Sequence, residues 1–202
     1  MAAGFVWQKF AMGHTDMGMM LMSIGGIVGF ISALIIAFAR TTFLVPVYAI
    51  CEGLFLGGIS ASFEASYPGI VAQAVVGTFA AFFSMLLLYK MNLIRCTDKF
   101  RSVIFISTAS IAVIYLVNFI GSFFNYAVPI INTATNAGIG FSLIVVAIAA
   151  LNLIIDFDFI ERGAQNMYPK KYEWYGAFGL MVTLVWLYFE ILKLLAKFSS
   201  RD

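Results

Sequence analysis

Charge is scarce in this 202-residue chain: 11% of residues are Asp, Glu, Lys or Arg, less than half the share of an ordinary soluble domain. With 62% of residues hydrophobic, that scarcity excludes a soluble globular fold and places the chain in a lipid bilayer. One histidine and two cysteines are too few for a structural zinc site. The net charge of +2 is small and scattered, so nucleic acid is not a partner. Long polar stretches are also lacking, which leaves no room for an extramembrane catalytic domain, and no enzyme is expected. Residues 1–16 show no basic segment followed by an apolar core and a small-residue cleavage site, so no removable signal peptide is expected. No run alternates apolar and polar residues with period two, as a barrel strand with a wet lumen must. Cys51 falls within a span and Cys96 in a connector, which argues against a disulfide.

What the chain does have is apolar runs of about twenty residues, the length that carries a helix across about 30 Å of hydrocarbon. Six are present, near Met17 to Phe38, Phe43 to Phe63, Gly69 to Tyr89, Val103 to Phe124, Gly138 to Ile160 and Trp174 to Ala196. The expected fold is all-α, a polytopic transmembrane helical bundle forming a single integral-membrane domain over 1–202. Lys90, Arg95, Lys99 and Arg101 follow the third run, and Arg162, Lys170 and Lys171 follow the fifth, whereas the connectors near Pro68 and from Gly121 to Ala137 carry no Lys or Arg. The basic connectors are therefore expected on the cytoplasmic side, together with Arg40. That alternation puts the C-terminus outside, against the three positive charges of Lys193, Lys197 and Arg201.

Gly25 with Gly29, and Gly53 with Gly57, have the small-xxx-small spacing of close helix contacts. Tyr168, Tyr172, Trp174 and Tyr175 flank Lys170 and Lys171 as an interfacial aromatic belt, and the lone His14 is read as an interfacial residue. The unusual residues are the acids inside apolar runs: Glu52, Asp156, Asp158 and Glu190. A charge at a helix centre costs about 2.5 to 3.5 kcal/mol on insertion scales, while each Leu or Ile returns about 0.3 to 0.6. Stability does not account for them. Asp158 and Arg162 stand at i and i+4 in the favourable order, which predicts an interfacial ion pair. Asp156 lies on another face, one turn from Asn152, whose amide is expected to donate to the carboxylate. Glu190 has Lys193 at i+3, so a local ion pair and an interior functional role both remain open. Glu52 has no basic neighbour in its own run and reads as a protonated or cation-binding interior residue. Were two such carboxylates to meet, protons and Ca²⁺ would compete for them, since both relieve the like-charge repulsion. That chemistry makes a cation pathway tuned by pH.

NLIIDFDFIER from Asn152 to Arg162, EWYGAFGL after it, and VTLVWLYFEILKLL up to Leu195 resemble the bacterial YccA-like branch of the Bax inhibitor-1 family, the transmembrane Bax inhibitor motif proteins. EGLFLGGISASFE from Glu52, YPGI from Tyr67 and YLVNFI from Tyr115 extend the resemblance over most of the chain. It implies a bundle with the last helix central, seven helices where six full spans are counted, and a bacterial cytoplasmic (inner) membrane location. Gly4 to Ala11 then reads as the remnant of a seventh helix that begins upstream. It also implies a pH-sensitive Ca²⁺ leak or a regulator of membrane ion balance, with no cofactor beyond the Ca²⁺ or H⁺ that is sensed or passed. By motif, Asp156 and Glu190 match the acidic pair that senses protons and could hold Ca²⁺, and Arg40 is the nearest match to the basic residue that latches it. Glu190 stands where aspartate is more usual. A plain hairpin sets Asp156 and Glu190 about 15 Å apart in depth. Their pairing calls for an interfacial segment from Gln165 to Tyr175 or a break near Gly176 and Gly179.

Two functions follow. In one, cations cross beside Asp156 and Glu190, with Glu52 as a further interior acid. In the other, a non-conducting multi-pass protein regulates a membrane protease or another membrane complex through its basic connectors. An intramembrane hydrolase would need two aspartates on neighbouring helices, and the second position is Glu190 without a glycine-aspartate motif.

Overall fold

The structure, a computed structural model, describes residues 2–39, 41–124 and 128–201. It is all helix among those residues: α1 (Ala2–Ala11), α2 (Thr15–Ala39), α3 (Val45–Ser66), α4 (Ile70–Lys90), α5 (Asp98–Ser122), α6 (Pro129–Asn132), α7 (Asn136–Gln165) and α8 (Lys171–Ser199). Six of them, α2 to α5 with α7 and α8, are long and apolar enough to cross a membrane. They match the six apolar runs to within a few residues, extending past them at the start of α5 and at both ends of α7 and α8, and falling two residues short at the start of α3 and the end of α5. Thr97 caps α5 by accepting from the Phe100 amide at 3.2 Å, and Thr135 caps α7 by accepting from the Gly138 amide at 3.2 Å. Glu64, at the end of α3, caps the start of α4 by accepting from the amides of Gly69 (2.6 Å) and Val71 (3.1 Å). Two residues past the ends of α4 and α7, Asn92 and Met167 lie in the left-handed region (φ 57° and 49°), where a glycine would usually stand.

The chain divides into two compact units, Met1–Val71 with Pro169–Phe178, and Ala72–Tyr168 with Gly179–Asp202. The first is joined through glycines. A Cβ on Gly25 would lie 2.6 Å from the Cys51 carbonyl oxygen, and one on Gly57 would lie 2.5 Å from that of Ala3. Both small-xxx-small pairs are thus helix contacts, Gly25 and Gly29 fitting α2 against α3, and Gly53 and Gly57 fitting α3 against α1. Helix α1, read from sequence as a remnant, is ten residues long. That makes about 15 Å, half a bilayer core.

The second unit has its core on α7. Ala149, Ala150, Leu153, Ile154 and Phe157 pack with Leu187 of α8 and Cys96, and Phe82 of α4 meets the Phe157 ring edge-on at 5.5 Å. Ala149, Leu153 and Ile154 of α7 are fully buried in this core. Helix α8 contributes its own buried residues, Thr183, Leu187, Tyr188, Glu190, Leu192, Ala196 and Lys197. The four-residue α6 was not foreseen, since a single turn after Pro129 leaves no periodicity to read.

Candidate functional site

Helices α7 and α8 run antiparallel, and their register follows from two contacts. Asp156 Oδ1 stands 3.4 Å from the position of a Cβ on Gly179 and hydrogen-bonds Thr183, while Lys197 donates to Ser142 Oγ at 2.8 Å. Asp156 is therefore level with Thr183 and Ser142 with Lys197, and Glu190 falls level with Ala149. Asp156 and Glu190 differ in depth by seven residues, or about 10 Å.

The predicted Asp156–Glu190 pair is thus not formed. Glu190, 1% exposed, takes the Lys193 ammonium at 2.7 Å and the Tyr115 hydroxyl of α5 at 3.0 and 2.9 Å to its two oxygens. Lys193 also donates to the Tyr115 oxygen at 3.1 Å and lies over the Tyr115 and Phe189 rings at 4.4 and 4.7 Å. A cation three residues away satisfies the buried carboxylate better than a second acid would. The local ion pair left open by the i, i+3 spacing is the arrangement found.

Asp156 has a different setting. It accepts a hydrogen bond from Thr183 and has no ion-pair partner among the described residues, and its Oδ2 is buried without a hydrogen-bond partner. The expected donation from Asn152 does not occur: the Asn152 amide donates instead to Thr108 Oγ1 of α5 and to the Ile148 carbonyl, each at 2.9 Å. Two residues on, Asp158 is held by Arg162 at 2.8 Å, as the spacing predicted, and by Arg101 of α5 at 2.7 Å. Arg101 also reaches Cys96 Sγ at 3.9 Å. Burial pushes the Cys96 thiol up and keeps it a thiol at neutral pH. Glu161, a turn further, accepts from the Tyr89 hydroxyl and from Gln165 Nε2 at 3.2 Å.

Together these groups make a ladder. Along α7 it runs from Asp158 to Asp156, Asn152, the level of Glu190 and Lys193, then Ser142 with Lys197 and the Gly138 carbonyl, which Lys197 meets at 3.0 Å. Successive rungs are separated by no more than about 6 Å of helix rise. From Asp158 to Gly138 the ladder covers about 30 Å, the thickness of the hydrocarbon. Lys193, Lys197 and Arg201, the last donating to Asn136 Oδ1 at 2.8 Å, are all engaged within the protein.

Arg101, Thr108, Tyr115, Thr183, Lys197 and Ser142 were not foreseen as part of the site. A signal existed for three of them. Arg101, Thr108 and Tyr115 are spaced seven apart on α5, one polar stripe beside the buried Ile104 and Ile111 on a helix whose other large apolar residues are mostly exposed.

Glu52 belongs to the first unit. It is half-buried, hydrogen-bonds Tyr48 one turn earlier on α3, and has Gly29 of α2 against it, with a Cβ there 3.5 Å from Oε2. Arg40 lies outside the described residues. No cluster of three or more His, Cys, Asp or Glu side chains stands together among the described residues. A resident Ca²⁺ bound jointly by Asp156 and Glu190 finds no such site, because Ca²⁺ takes six to eight oxygens and Glu190 is occupied by Lys193.

A family model described as Bax inhibitor 1 like matches residues 1–200. Neither the curated proteins nor the solved structures contain a match.

Proposed function

The chain belongs to the Bax inhibitor 1 like family, and from that premise we propose that it is a pH-sensitive pathway through which cations, Ca²⁺ foremost, leak across a bacterial cytoplasmic membrane. Asp156 is the residue at which protons and the passing cation compete. The observation that carries this reading is the buried Asp156 oxygen without a partner, on a helix where Asp158 and Glu161 nearby are satisfied. A carboxylate inside a bundle with no counter-ion and one unpartnered oxygen marks an ion or proton path by default, because a single threonine hydrogen bond does not repay its desolvation. Glu190 carries its own counter-ion in Lys193 and acts as a neutral polar rung, not as the second half of a sensor.

Protein reconstituted in liposomes with an internal Ca²⁺ indicator tests the proposal. Flux should change with pH, and Asp156→Asn should leave a flux that no longer does. A pH profile identical in Asp156→Asn and the parent would overturn it.

A second reading, a non-conducting regulator of a membrane protease or other membrane complex, is favoured by Lys90, Arg95 and Lys99. All three are exposed and none is ion-paired among the described residues, whereas Arg101, expected on the same surface, is taken by Asp158. Charge reversal at those three residues with Asp156 intact would abolish the cellular phenotype under this reading and spare it under the first.

A further inference from the structure

Between the end of α4, the connector after it and the last turns of α7 lies a cavity of about 590 Å³, unrelated to the ladder's interior rungs. Its volume is that of a small-molecule site. One part of the lining is apolar, formed by Leu86, Ile94, Phe157 and Ile160, and another carries Lys90 and Arg95. Of the acids that also line it, Asp158 is ion-paired with Arg101 and Arg162, and Glu161 keeps its charge but is turned into hydrogen bonds from Tyr89 and Gln165. Lys90 and Arg95 have no carboxylate partner among the described residues. The cavity therefore offers two uncommitted cations beside an apolar wall, at the end of a membrane-spanning helix.

We propose that this cavity holds the phosphate-bearing headgroup of an anionic glycerophospholipid, with Arg95 and Lys90 on the phosphate and the apolar wall against the glycerol and first acyl carbons. A guanidinium presents paired N–H donors that fit phosphate oxygens, and the lysine adds a point charge beside it. Basic pockets between spanning helices at the membrane surface take such headgroups. A free phosphate offers the same oxygen acceptors but gains nothing from Leu86, Ile94, Phe157 and Ile160, which is why the lipid is the better occupant.

The test places the protein in phosphatidylcholine nanodiscs doped with phosphatidylglycerol and counts retained lipid by native mass spectrometry. The parent should retain phosphatidylglycerol selectively. Lys90→Gln with Arg95→Gln should weaken retention by about thirtyfold, the loss of two charges near the surface. The charge-preserving swap Lys90→Arg with Arg95→Lys should retain the lipid and shows that the fold persists. Lys99→Gln removes an exposed charge of the same belt that does not line the cavity, and should leave retention unchanged. Equal retention by the double variant and the parent would overturn the proposal, as would an equal loss in Lys99→Gln. Saturation of the parent by inorganic phosphate in phosphatidylcholine discs, with no preference for phosphatidylglycerol, would overturn the lipid as its source.

Discussion

Asp158 and Asp156 are two residues apart on α7, yet the rim around the first and the interior around the second are built on opposite terms. At the rim, two arginines from two helices converge on one carboxylate, and the charge is repaid. In the interior, Asp156 meets a threonine and a glycine, and one oxygen is left with nothing. Glu190, deeper still, resembles the rim and not its interior neighbour, since Lys193 and Tyr115 close around it. Depth in the bundle thus does not decide which acids are compensated. The comparison separates charges that hold helices together from a charge that holds nothing.

The most severe test of that separation is Glu190→Ala. Removing one partner of a buried ion pair leaves the other charge uncompensated, and such losses run to about 3 to 5 kcal/mol. The expected result is a large fall in unfolding stability in detergent, measured by denaturant titration. Replacing Lys193 by Met as well should recover part of it, because the stranded ammonium is then gone. A Glu190→Ala protein as stable as the parent would break the comparison at its deepest point.

Asp158→Asn should cost less, about 2 kcal/mol, since the Arg101 and Arg162 side chains are 43% and 50% exposed and water reclaims them when their acid is neutralised. The same titration checks it. High salt should narrow the difference for Asp158→Asn and leave that for Glu190→Ala, because only the rim pair is open to screening.

The chemistry of these pairs explains what could be read from sequence. The six spans were legible because apolar runs of bilayer length have few alternatives, and the glycine contacts because their spacing lies within single helices. Asp158 with Arg162 and Glu190 with Lys193 were legible for the same reason, both being one helical turn apart. Arg101 and Tyr115 were not, since they reach their acids across 57 and 75 residues of chain. The Asn152 error is instructive. Its i, i+4 spacing to Asp156 was correct, but an asparagine in a helix can give its amide to the carbonyl one turn back, and Thr108 supplied the other partner. Local spacing says which groups are within reach, and packing against a third helix decides which of them meet. The proposed pairing of Asp156 with Glu190 failed likewise, because the register of α7 against α8 is set by contacts at Gly179, Thr183 and Ser142 that no local pattern encodes.

The smallest stability effect is expected at Asp156 itself. Asn keeps an oxygen for Thr183 and removes the charge whose burial nothing repays, so Asp156→Asn should shift unfolding by about 1 kcal/mol or less in either direction. Measured in the same titration as Glu190→Ala and Asp158→Asn, it gives the comparison its sharpest form. Three acids within two helices are then ranked by what their loss does to folding, and the one that matters least to folding is the one whose loss should erase the pH dependence of flux. A drop at Asp156→Asn as large as at Glu190→Ala would mean that the carboxylate is structurally compensated after all, and would remove the physical reason for assigning ion competition to it. A negligible drop leaves its presence in an apolar helix without a structural purpose, which is the condition under which a buried charge is kept for what it does.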